Sequence, residues 1–576
     1  MAARAARPLT PRPRGGLALP PATGQPAAAA TGWRAWLPFA AVALAYAAVA
    51  THLITLPGIY ADAVNPDYLV ARMLNPHPER SMVWVMYGNA LLGDRAPVLI
   101  APYHGSQQYW LGLPLYALYG TTVTGVRLVH ATFALGVLAA LHVLLVRAGV
   151  RPWFAAAVGG ALALDPSFSY AFRTQAYITL APAAWLLLGV YSLLRAAEPG
   201  AARPGRWLFA SGLFCGLAAV GYFVWAFVLP PVAWAAWRWR PGAALARPAA
   251  VTWLGGLAAG AVAYPVGYLL AVRKAGGIAE LLEFVRGQQA TIGAFRSSQP
   301  LGARLAHAWQ TVDATVGTAW HQAMMFAGEA LPVPGAAWKV ALVAGLPYAL
   351  WLAAEVQRRS SPLLRLLAAL PVSFGAVSLL FGDRLGGHHF VTLVPLFYAA
   401  LGVGLWSLRR PGRAGARIAA VVPLVVLVTL AALNVAGQAH VAEKLAQTRG
   451  KGFLSDAIHR FADDLNAMPD KPFLWFPEPA LALPLVMLTR AGVPMSDRID
   501  DPEPRRRLCE GRDVLLVRPE RHFSEPRAQE WLAKLAWDAP ARREPYAQAD
   551  GAVVFEVATL RGRRDGPGCA ATATTR

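Results

Sequence analysis

Long apolar stretches that almost lack charged residues constrain this chain more than any other feature. A helix needs about 20 apolar residues to cross the hydrocarbon core of a bilayer. Eleven segments meet or approach this length: 36–54, 123–146, 153–170, 175–194, 207–221, 222–237, 251–272, 338–355, 362–381, 388–408 and 418–436. Only 15% of the 576 residues are charged, against roughly 25% in soluble proteins. We therefore predict an all-α polytopic membrane protein with about eleven transmembrane helices.

The positions of the basic residues predict the orientation of these helices. A formal net charge of +21 would suggest nucleic-acid binding in a soluble protein. Here, however, arginines concentrate in the N-terminal tail and in the loops after alternate apolar stretches, which is the positive-inside pattern. With eleven spans, all these loops share one face. The pattern argues against a nucleic-acid partner and predicts a multi-pass protein of the plasma (inner) membrane with its N-terminus in the cytoplasm.

Residues 207–237 are short for the two crossings that this topology requires. If they formed one helix, Arg206 and Arg238 would lie on opposite sides of the membrane, and every basic loop further along would face outward. The arginine pattern therefore favours two crossings, tilted or broken near Pro230 and Pro231.

The topology divides the chain into three parts. Residues 1–35, rich in Ala, Pro and Arg, are expected to form a disordered basic cytoplasmic tail. Residues 36–436 form the transmembrane domain, with outer loops at 55–122 and 273–337, and the second loop suggests amphipathic helices at the interface. Residues 437–576 alternate short apolar runs with helical patterns, which predicts a small extracytoplasmic α/β domain.

The cysteines add little to this prediction. Cys509 and Cys569 both lie in the C-terminal domain and could form a disulfide if that domain is extracytoplasmic, whereas Cys215 lies in an apolar stretch. No Cys or His spacing indicates a metal site.

The first outer loop holds the most informative carboxylates. Asn65 can cap a helix with Pro66 at its first position. Asp67 would then be a first-turn acid that the helix dipole favours, so a structural role is the simpler interpretation for it. Asp62 lies upstream of this cap and lacks such an explanation. We expect a functional role for Asp62, the alternative being a solvated loop acid.

The rest of this loop has a distinctive order of residues. Tyr103-His104-Gly105-Ser106 precedes an apolar segment that ends at Gly120, and Arg127 opens the second span. With Asp62 in front, this order resembles the GT-C superfamily of membrane glycosyltransferases, and within it the branch of the protein O-mannosyltransferases and the lipid A aminoarabinose transferase. The resemblance covers roughly 36–200, and beyond that only hydropathy agrees.

The resemblance implies a GT-C fold and a sugar donor carried on a polyprenyl phosphate. It also implies that Asp62, His104, Gly120 and Arg127 occupy the matching places of the family pattern. Many relatives have a second acid directly after the first, where this chain has Ala63, so the pattern leaves the identity of any second carboxylate open.

Three further groups of ionisable residues fall on the predicted outer face. Asp165 follows a short span and is either a functional residue at membrane depth or part of a helix-ending turn. Arg173 begins the fourth span. Arg384 lies close to His388 and His389 at the start of the tenth span, where contact with a phosphate, a metal site and plain interfacial positions are all open. No carboxylate spacing accompanies the two histidines, so a divalent metal is not indicated and the cofactor stays unknown.

These residues suit glycosyl transfer to a hydroxyl group. The reaction needs a base for the nucleophile and positive groups or hydrogen-bond donors near the departing phosphate. We predict a transferase that moves a sugar from a polyprenyl-phosphate donor to an extracytoplasmic glycan, lipid or protein. The predicted catalytic residues are Asp62, Asp67 and Asp165, and the predicted substrate-binding residues are His104, Arg127, Arg173, Arg384, His388 and His389.

Two other functions remain open. A transporter or flippase for a polyprenyl-linked glycan should place ionisable residues near the bilayer midplane, often in repeated halves. Here they gather at one face and no repeat is visible. A membrane polysaccharide polymerase would also have a large outer loop, but the motif in the first loop argues against it.

Overall fold

The computed structural model describes residues 33–65, 67–74, 80–81, 90–92, 96–101, 103–174, 181–198, 201–238, 248–283, 286, 297–329, 332–357, 360–408, 416–476, 481–489, 493–496, 501–519, 530, 532–533, 535, 537, 540–566 and 569. The predicted N-terminal tail up to residue 32 lies outside these residues.

The described part of the chain is mostly helical. Its α-helices are α1 (Leu37–Thr51), α2 (Tyr68–Leu74), α3 (Gln107–Tyr119), α4 (Val123–Arg147), α5 (Pro152–Ala163), α6 (Pro166–Ser169), α7 (Ala171–Thr174), α8 (Ala181–Ala196), α9 (Pro204–Gly221), α10 (Leu229–Arg238), α11 (Ala249–Gly260), α12 (Ala263–Ala275), α13 (Leu301–Val316), α14 (Ala319–Met325), α15 (Ala336–Val340), α16 (Leu346–Val356), α17 (Pro362–Ser378), α18 (Gly387–Phe390), α19 (Leu393–Ser407), α20 (Ala416–Thr448), α21 (Ala457–Ala467), α22 (Ala482–Leu488) and α23 (Glu503–Cys509). The strands are β1 (Arg80–Ser81), β2 (Ala90–Leu92), β3 (Ala96–Ala101), β4 (His104–Gly105), β5 (Phe473–Trp475), β6 (Met495–Ser496), β7 (Val514–Pro519), β8 (Arg542–Ala547) and β9 (Val553–Leu560).

Helical structure occurs at each of the eleven predicted spans, but few helices are long enough to cross a bilayer unbroken. Among the described residues, four are long and apolar enough: Val123–Arg147, Ala336–Val356, Gly387–Ser407 and Val421–Thr448. A fifth results if the bent pair α11 and α12 counts as one span. The prediction of about eleven spans is therefore not confirmed. Other apolar segments form shorter helices, and 153–170 breaks at Asp165, where the backbone leaves the helical region. The boundary between 207–221 and 222–237 falls at Tyr222, as predicted.

Four glycines let α9 and α11 approach each other closely. A Cβ atom added at Gly212 would overlap the carbonyl oxygen of Trp253, and one added at Gly256 would overlap that of Phe209. The glycines that make this contact are Gly212, Gly216, Gly256 and Gly260. Pairs of small residues four positions apart are the usual way for apolar helices to bring their backbones together.

The helix α13, within the predicted second outer loop, has an exposed apolar face. Leu301, Leu305 and Trp309 recur every four residues, so they share one face of the helix. Their side chains are 55%, 50% and 60% exposed, whereas Thr311 and Thr315 are buried. An exposed apolar stripe of this kind is what an interfacial helix turns toward the acyl chains.

The C-terminal part forms the predicted α/β arrangement, with a contribution from the first outer loop. A six-stranded sheet has the order β1-β6-β5-β7-β9-β8, in which the first four strands are parallel and β9 is antiparallel to both of its neighbours. The strand β1 at its edge belongs to the first outer loop. Cys509 and Cys569 form the disulfide that the sequence left open.

Candidate active site

Asp62 is the carboxylate of the candidate site. It sits in a short 3-10 helix, Ala61–Ala63, and its side chain is half-buried between two fully buried alanines. The charge of its carboxylate acts on Tyr103. Burial raises the pKa of Tyr103, and the negative charge of Asp62 raises it further. Tyr103 is therefore a neutral hydrogen-bonding group next to a partly accessible carboxylate.

Tyr222 joins His104 and His389, which the sequence placed in separate segments. The ring centroid of Tyr222 lies 5.5 Å from that of His104 and 5.8 Å from those of Tyr103 and His389. The Tyr222 hydroxyl and His389 Nε2 are 3.4 Å apart. Nδ1 of His389 faces the carbonyl of Gly386 at 3.3 Å, so in the neutral ring Nδ1 carries the proton and Nε2 accepts from the Tyr222 hydroxyl.

The backbone fixes the position of Tyr222 between His104 and His389. The helix α9 ends at Gly221, Tyr222 is extended, and a 3-10 helix begins at Phe223. The Phe223 amide donates to the carbonyl of Tyr103 at 3.1 Å. A Cβ atom added at Gly105 would lie 2.6 Å from the Val220 carbonyl oxygen. The β4 segment therefore packs directly against the break between the two apolar segments.

His388 extends the cluster toward the second outer loop. Its ring centroid lies 3.9 Å from His389 and 6.1 Å from Trp320 on α14. Arg384 lies four residues before His388, in a 3-10 helix over Gly382–Arg384, and its side chain is exposed. We name Asp62, Tyr103, His104, Tyr222, His388 and His389 together the Tyr222 cluster.

His104 is a neutral member of this cluster. Its side chain is 2% exposed. Burial lowers the pKa of His104 to about 3, although the negative charge of Asp67 acts in the opposite direction. At neutral pH the imidazole therefore contributes hydrogen-bonding atoms and contact surface but no charge.

Asp67 is held in a buried network of hydrogen bonds. It is completely buried and accepts hydrogen bonds from Gln108 at 3.1 Å and from the Tyr116 hydroxyl at 2.9 Å. His130 Nε2 lies 2.6 Å from the same carboxylate. The predicted cap at Asn65 is not formed within the described residues, because its buried Oδ1 has no hydrogen-bond partner there. Asp67 instead anchors the first outer loop to α3 and α4.

The two predicted phosphate-binding arginines hold backbone carbonyls. The terminal nitrogens of Arg173 donate to five carbonyls at and after the end of α1, those of Val49, Ala50, His52, Leu53 and Leu56. Cations favour helix C-termini because the last carbonyls lack partners. Arg127 donates to the carbonyls of Pro57 and Arg173. A phosphate would have to displace these contacts.

Asp165 is likewise enclosed. It caps α6 through the Ser167 amide at 2.7 Å. Its carboxylate also lies 2.6 Å from Lys339 Nζ and 2.9 Å from the Tyr398 hydroxyl. Lys339 in turn donates to the Ser167 and Thr318 hydroxyls. This buried ion pair ties together helices that are distant in sequence.

The structure thus brings His104, His388 and His389 together around Tyr222, and Asp62 acts on Tyr103, the neighbour of His104. Asp67, Arg127, Arg173 and Asp165 are held by other contacts, although the charge of Asp67 also acts on His104. Sequence reasoning missed Tyr222, whose only signal was its position at the junction of two short predicted spans. It also missed Lys339 and His130, which lie inside apolar segments. Among the described residues, no group of three or more His, Cys, Asp and Glu side chains could hold a metal ion.

Comparison with known proteins gives similarities to solved structures only. No family model and no curated protein matches the sequence. ArnT from Cupriavidus metallidurans, solved bound to undecaprenyl phosphate, is 16% identical, with 93% of this chain and 100% of that chain covered and a TM-score of 0.49. The Archaeoglobus fulgidus oligosaccharyltransferase tethered with an acceptor peptide is 12% identical, with coverage of 88% and 68% and a TM-score of 0.45.

The arabinofuranosyltransferase AftD from Mycobacteria is 16% identical, with 91% of this chain and 40% of that chain covered and a TM-score of 0.40. All three are GT-C glycosyltransferases, the superfamily that the first outer loop resembles. Similarities at these identities and TM-scores assign no chemistry to this chain, so its chemistry is argued from its own residues.

Proposed function

We propose that this protein is a glycosyltransferase that moves a sugar from a polyprenyl-phosphate donor to a hydroxyl group on an acceptor outside the cytoplasm. The observation that carries this proposal is the Tyr222 cluster. It combines one half-buried carboxylate with tyrosine and histidine side chains from three separate parts of the chain. Perturbed, partly accessible ionisable groups that converge in this way are typical of catalytic sites.

Asp62 is the general base. The acceptor hydroxyl gives its proton to the Asp62 carboxylate while its oxygen forms a bond to the anomeric carbon of the sugar. The bond from that carbon to the phosphate oxygen breaks at the same time, and the polyprenyl phosphate leaves with the bonding electrons. Asp62 suits this role better than Asp67 or Asp165, because both of these are fully buried and already accept hydrogen bonds from several partners.

The other members of the Tyr222 cluster face the departing phosphate. Negative charge builds up on the leaving oxygen, and fixed donors stabilise it in a site that excludes water. The His388 imidazole can donate there, the Tyr222 hydroxyl can donate there when the leaving oxygen replaces His389 Nε2 as its acceptor, and the exposed guanidinium of Arg384 can add a positive charge from the same segment. Arg127 and Arg173 position the first outer loop through the carbonyls that they hold.

A lipid-linked donor fits the site's position. The Cys509–Cys569 disulfide supports an extracytoplasmic location for the C-terminal domain, since disulfides persist in oxidising compartments. Nucleotide sugars made in the cytoplasm are not available there. A polyprenyl tail can lie in the bilayer, where each buried CH₂ group contributes about 0.8 kcal/mol, and hold its sugar phosphate at the outer surface.

The test is a choice of donors. We would supply purified protein in nanodiscs with a labelled polyprenyl-phosphate sugar or with the matching nucleotide sugar, together with an extract of cell-envelope acceptors. We expect transfer and release of polyprenyl phosphate from the lipid donor only. Efficient transfer from the nucleotide sugar, without a lipid intermediate, would contradict the proposal.

A further inference from the structure

A large cavity lies beside the segment that carries the proposed base. Its volume is about 500 Å³, within the range of small-molecule sites. Its walls come from the turn between β8 and β9, from the segment Gly452–Leu454 and from the end of α14 with the residues that follow it. Tyr60 also lines the cavity and precedes Asp62 by two residues, so the cavity and the proposed base share one short segment.

Polar contacts hold the walls of this cavity together. Lys451 Nζ lies 2.9 Å from the carboxylate of Glu329, after α14, and 3.4 Å from that of Asp550, in the turn between β8 and β9. The amide of Gly452 donates to Gln548 Oε1 at 2.9 Å. The cavity is therefore preformed between the C-terminal domain and the second outer loop, and a ligand need not create it.

The lining excludes two kinds of ligand. The ammonium groups next to the lining already face carboxylates, since Lys451 pairs with Glu329 and Asp550 and Lys444 pairs with Glu329. This balanced set of charges gives a phosphate no net attraction. An acyl chain would have to cover charged groups that are now hydrated, since Glu329 is 55% and Asp550 is 47% exposed, and covering them without new hydrogen bonds is costly. Neither the donor phosphate nor a lipid tail suits this cavity.

A sugar ring suits both features of the lining. The rings of Tyr60 and Phe453 lie with their centroids 6.2 Å apart. Aromatic faces are negative at the centre of the ring and attract the weakly positive C–H edge of a neighbouring group. Carboxylates have about four lone-pair positions each, so Glu329 and Asp550 can accept from sugar hydroxyls in addition to Lys451. Gln548 offers an amide.

We propose that this cavity binds the acceptor and that the acceptor is a carbohydrate, held with one ring against Tyr60 and Phe453 and its hydroxyls toward Glu329 and Asp550. This inference rests on the proposed function, because it takes Asp62 as the base that receives the acceptor's proton. Donor and acceptor then reach Asp62 from two different places, the donor from the Tyr222 cluster and the acceptor from the cavity.

Site-specific crosslinking tests this assignment even while the acceptor is unidentified. Phe453 is replaced by the photoreactive amino acid p-benzoylphenylalanine in the full chain, in cells that carry their normal envelope. After irradiation the protein is purified, and its adducts are analysed by carbohydrate staining and mass spectrometry. The matched control carries the same replacement at Phe209, an exposed ring on the apolar helix α9.

We expect a carbohydrate adduct at position 453 and only acyl-lipid adducts at position 209. Adding Asp550→Ala should lower the carbohydrate adduct about tenfold, as expected for the loss of a charged hydrogen-bond acceptor. Asp565→Ala, an exposed carboxylate of the same domain outside the cavity lining, should leave the yield unchanged. A peptide adduct, a lipid adduct or no adduct at position 453 while position 209 reacts would overturn the assignment.

The crosslinking result and the test of the proposed function can fail independently of each other. Transfer from the lipid donor by purified protein tests the reaction, and the adduct at position 453 tests the cavity. If transfer occurs but the adduct is a peptide, the reaction stands and the carbohydrate assignment fails. If a carbohydrate adduct forms but no lipid-linked sugar is used, the cavity assignment stands and the proposed reaction fails.

Discussion

Asp62 and Asp67 belong to the same short segment, yet their surroundings differ completely. Asp67 is enclosed by Gln108, Tyr116 and His130, so its carboxylate has no room for a substrate. Asp62 is only half-buried and lies beside Tyr103. The sequence predicted a structural role for Asp67 from a helix cap at Asn65. The structural role comes instead from long-range hydrogen bonds, which no local sequence pattern reveals.

Asp67→Asn should destabilise the protein by about 1–3 kcal/mol, because it would place an amide N–H₂ group among donors and leave buried groups unpaired. Thermal unfolding in detergent should show the loss, with less folded protein recovered from cells. A variant that unfolds like the wild type but has no turnover would instead give Asp67 a direct part in the reaction.

Tyr222→Phe keeps the ring between His104 and His389 but removes the hydroxyl that faces His389. We expect kcat to fall at least about tenfold, as for the loss of one donor at a site of developing negative charge. Tyr191→Phe is the control, since Tyr191 packs against Trp207 near the opposite end of the helices. Equal turnover of both variants would remove Tyr222 from the site.

At the scale of elements, the helical pattern of the membrane part follows from the sequence, because each apolar stretch contains helix among its described residues. The lengths of the individual helices do not follow from the sequence. Asp165 ends one stretch by capping a new helix, at the place of the predicted helix-ending turn. The predicted boundary between 207–221 and 222–237 falls at Tyr222, next to which the Phe223 amide donates to the Tyr103 carbonyl. Hydropathy could not show the partners that are distant in the chain, Lys339 for Asp165 and His389 for Tyr222.

The contact between α9 and α11 gives a sharp test at this scale. Gly256→Ala should destabilise the protein, since the added methyl group would meet backbone atoms of α9. Gly255→Ala, one residue away, meets no atom within 4 Å and should be neutral or stabilising by up to about 1 kcal/mol, because alanine is the better helix former. Thermal unfolding of the two variants compares them, and equal melting temperatures would show that the helices do not pack in this way.

At the scale of the whole molecule, the first outer loop is fastened to the C-terminal domain. His459 Nε2 accepts from the Ile59 amide at 3.2 Å, and the Gly58 amide donates to the carbonyl of Leu454 at 2.7 Å. The strand β1 joins the C-terminal sheet. The sequence predicted the first outer loop and the C-terminal domain but not the contact between them, since a two-residue strand such as β1 has no recognisable sequence pattern. Through this contact the domain helps to position Asp62.

Acid should loosen this contact. Burial, followed by the charge of Arg127, lowers the pKa of His459 to about 4, and burial lowers the pKa of His104 to about 3. Both groups titrate near 6.5 when unfolded. Between the folded and the unfolded pKa of each histidine, the unfolded chain binds more protons than the folded chain. The free energy of unfolding is therefore highest above about pH 6.5 and decreases as the pH falls, by at most about 1.4 kcal/mol per pH unit for each histidine.

Thermal unfolding from about pH 7 to about pH 4.5 would measure this slope. His459→Gln keeps an acceptor for the Ile59 amide but cannot take up a proton, so its melting temperature should depend less on pH than that of the wild type. A slope that is the same in both proteins would show that His459 does not contribute.

The central claim is that Asp62 is the base of a glycosyl transfer, and single-turnover chemistry tests it most directly. Wild-type protein and Asp62→Asn would each be mixed in nanodiscs with a labelled polyprenyl-phosphate sugar and cell-envelope acceptor, and released polyprenyl phosphate would be followed with time. We predict that the variant unfolds at the same temperature as the wild type but is slower by about 10²-fold or more, the usual contribution of a general base. Wild-type turnover by a folded Asp62→Asn protein would contradict the account.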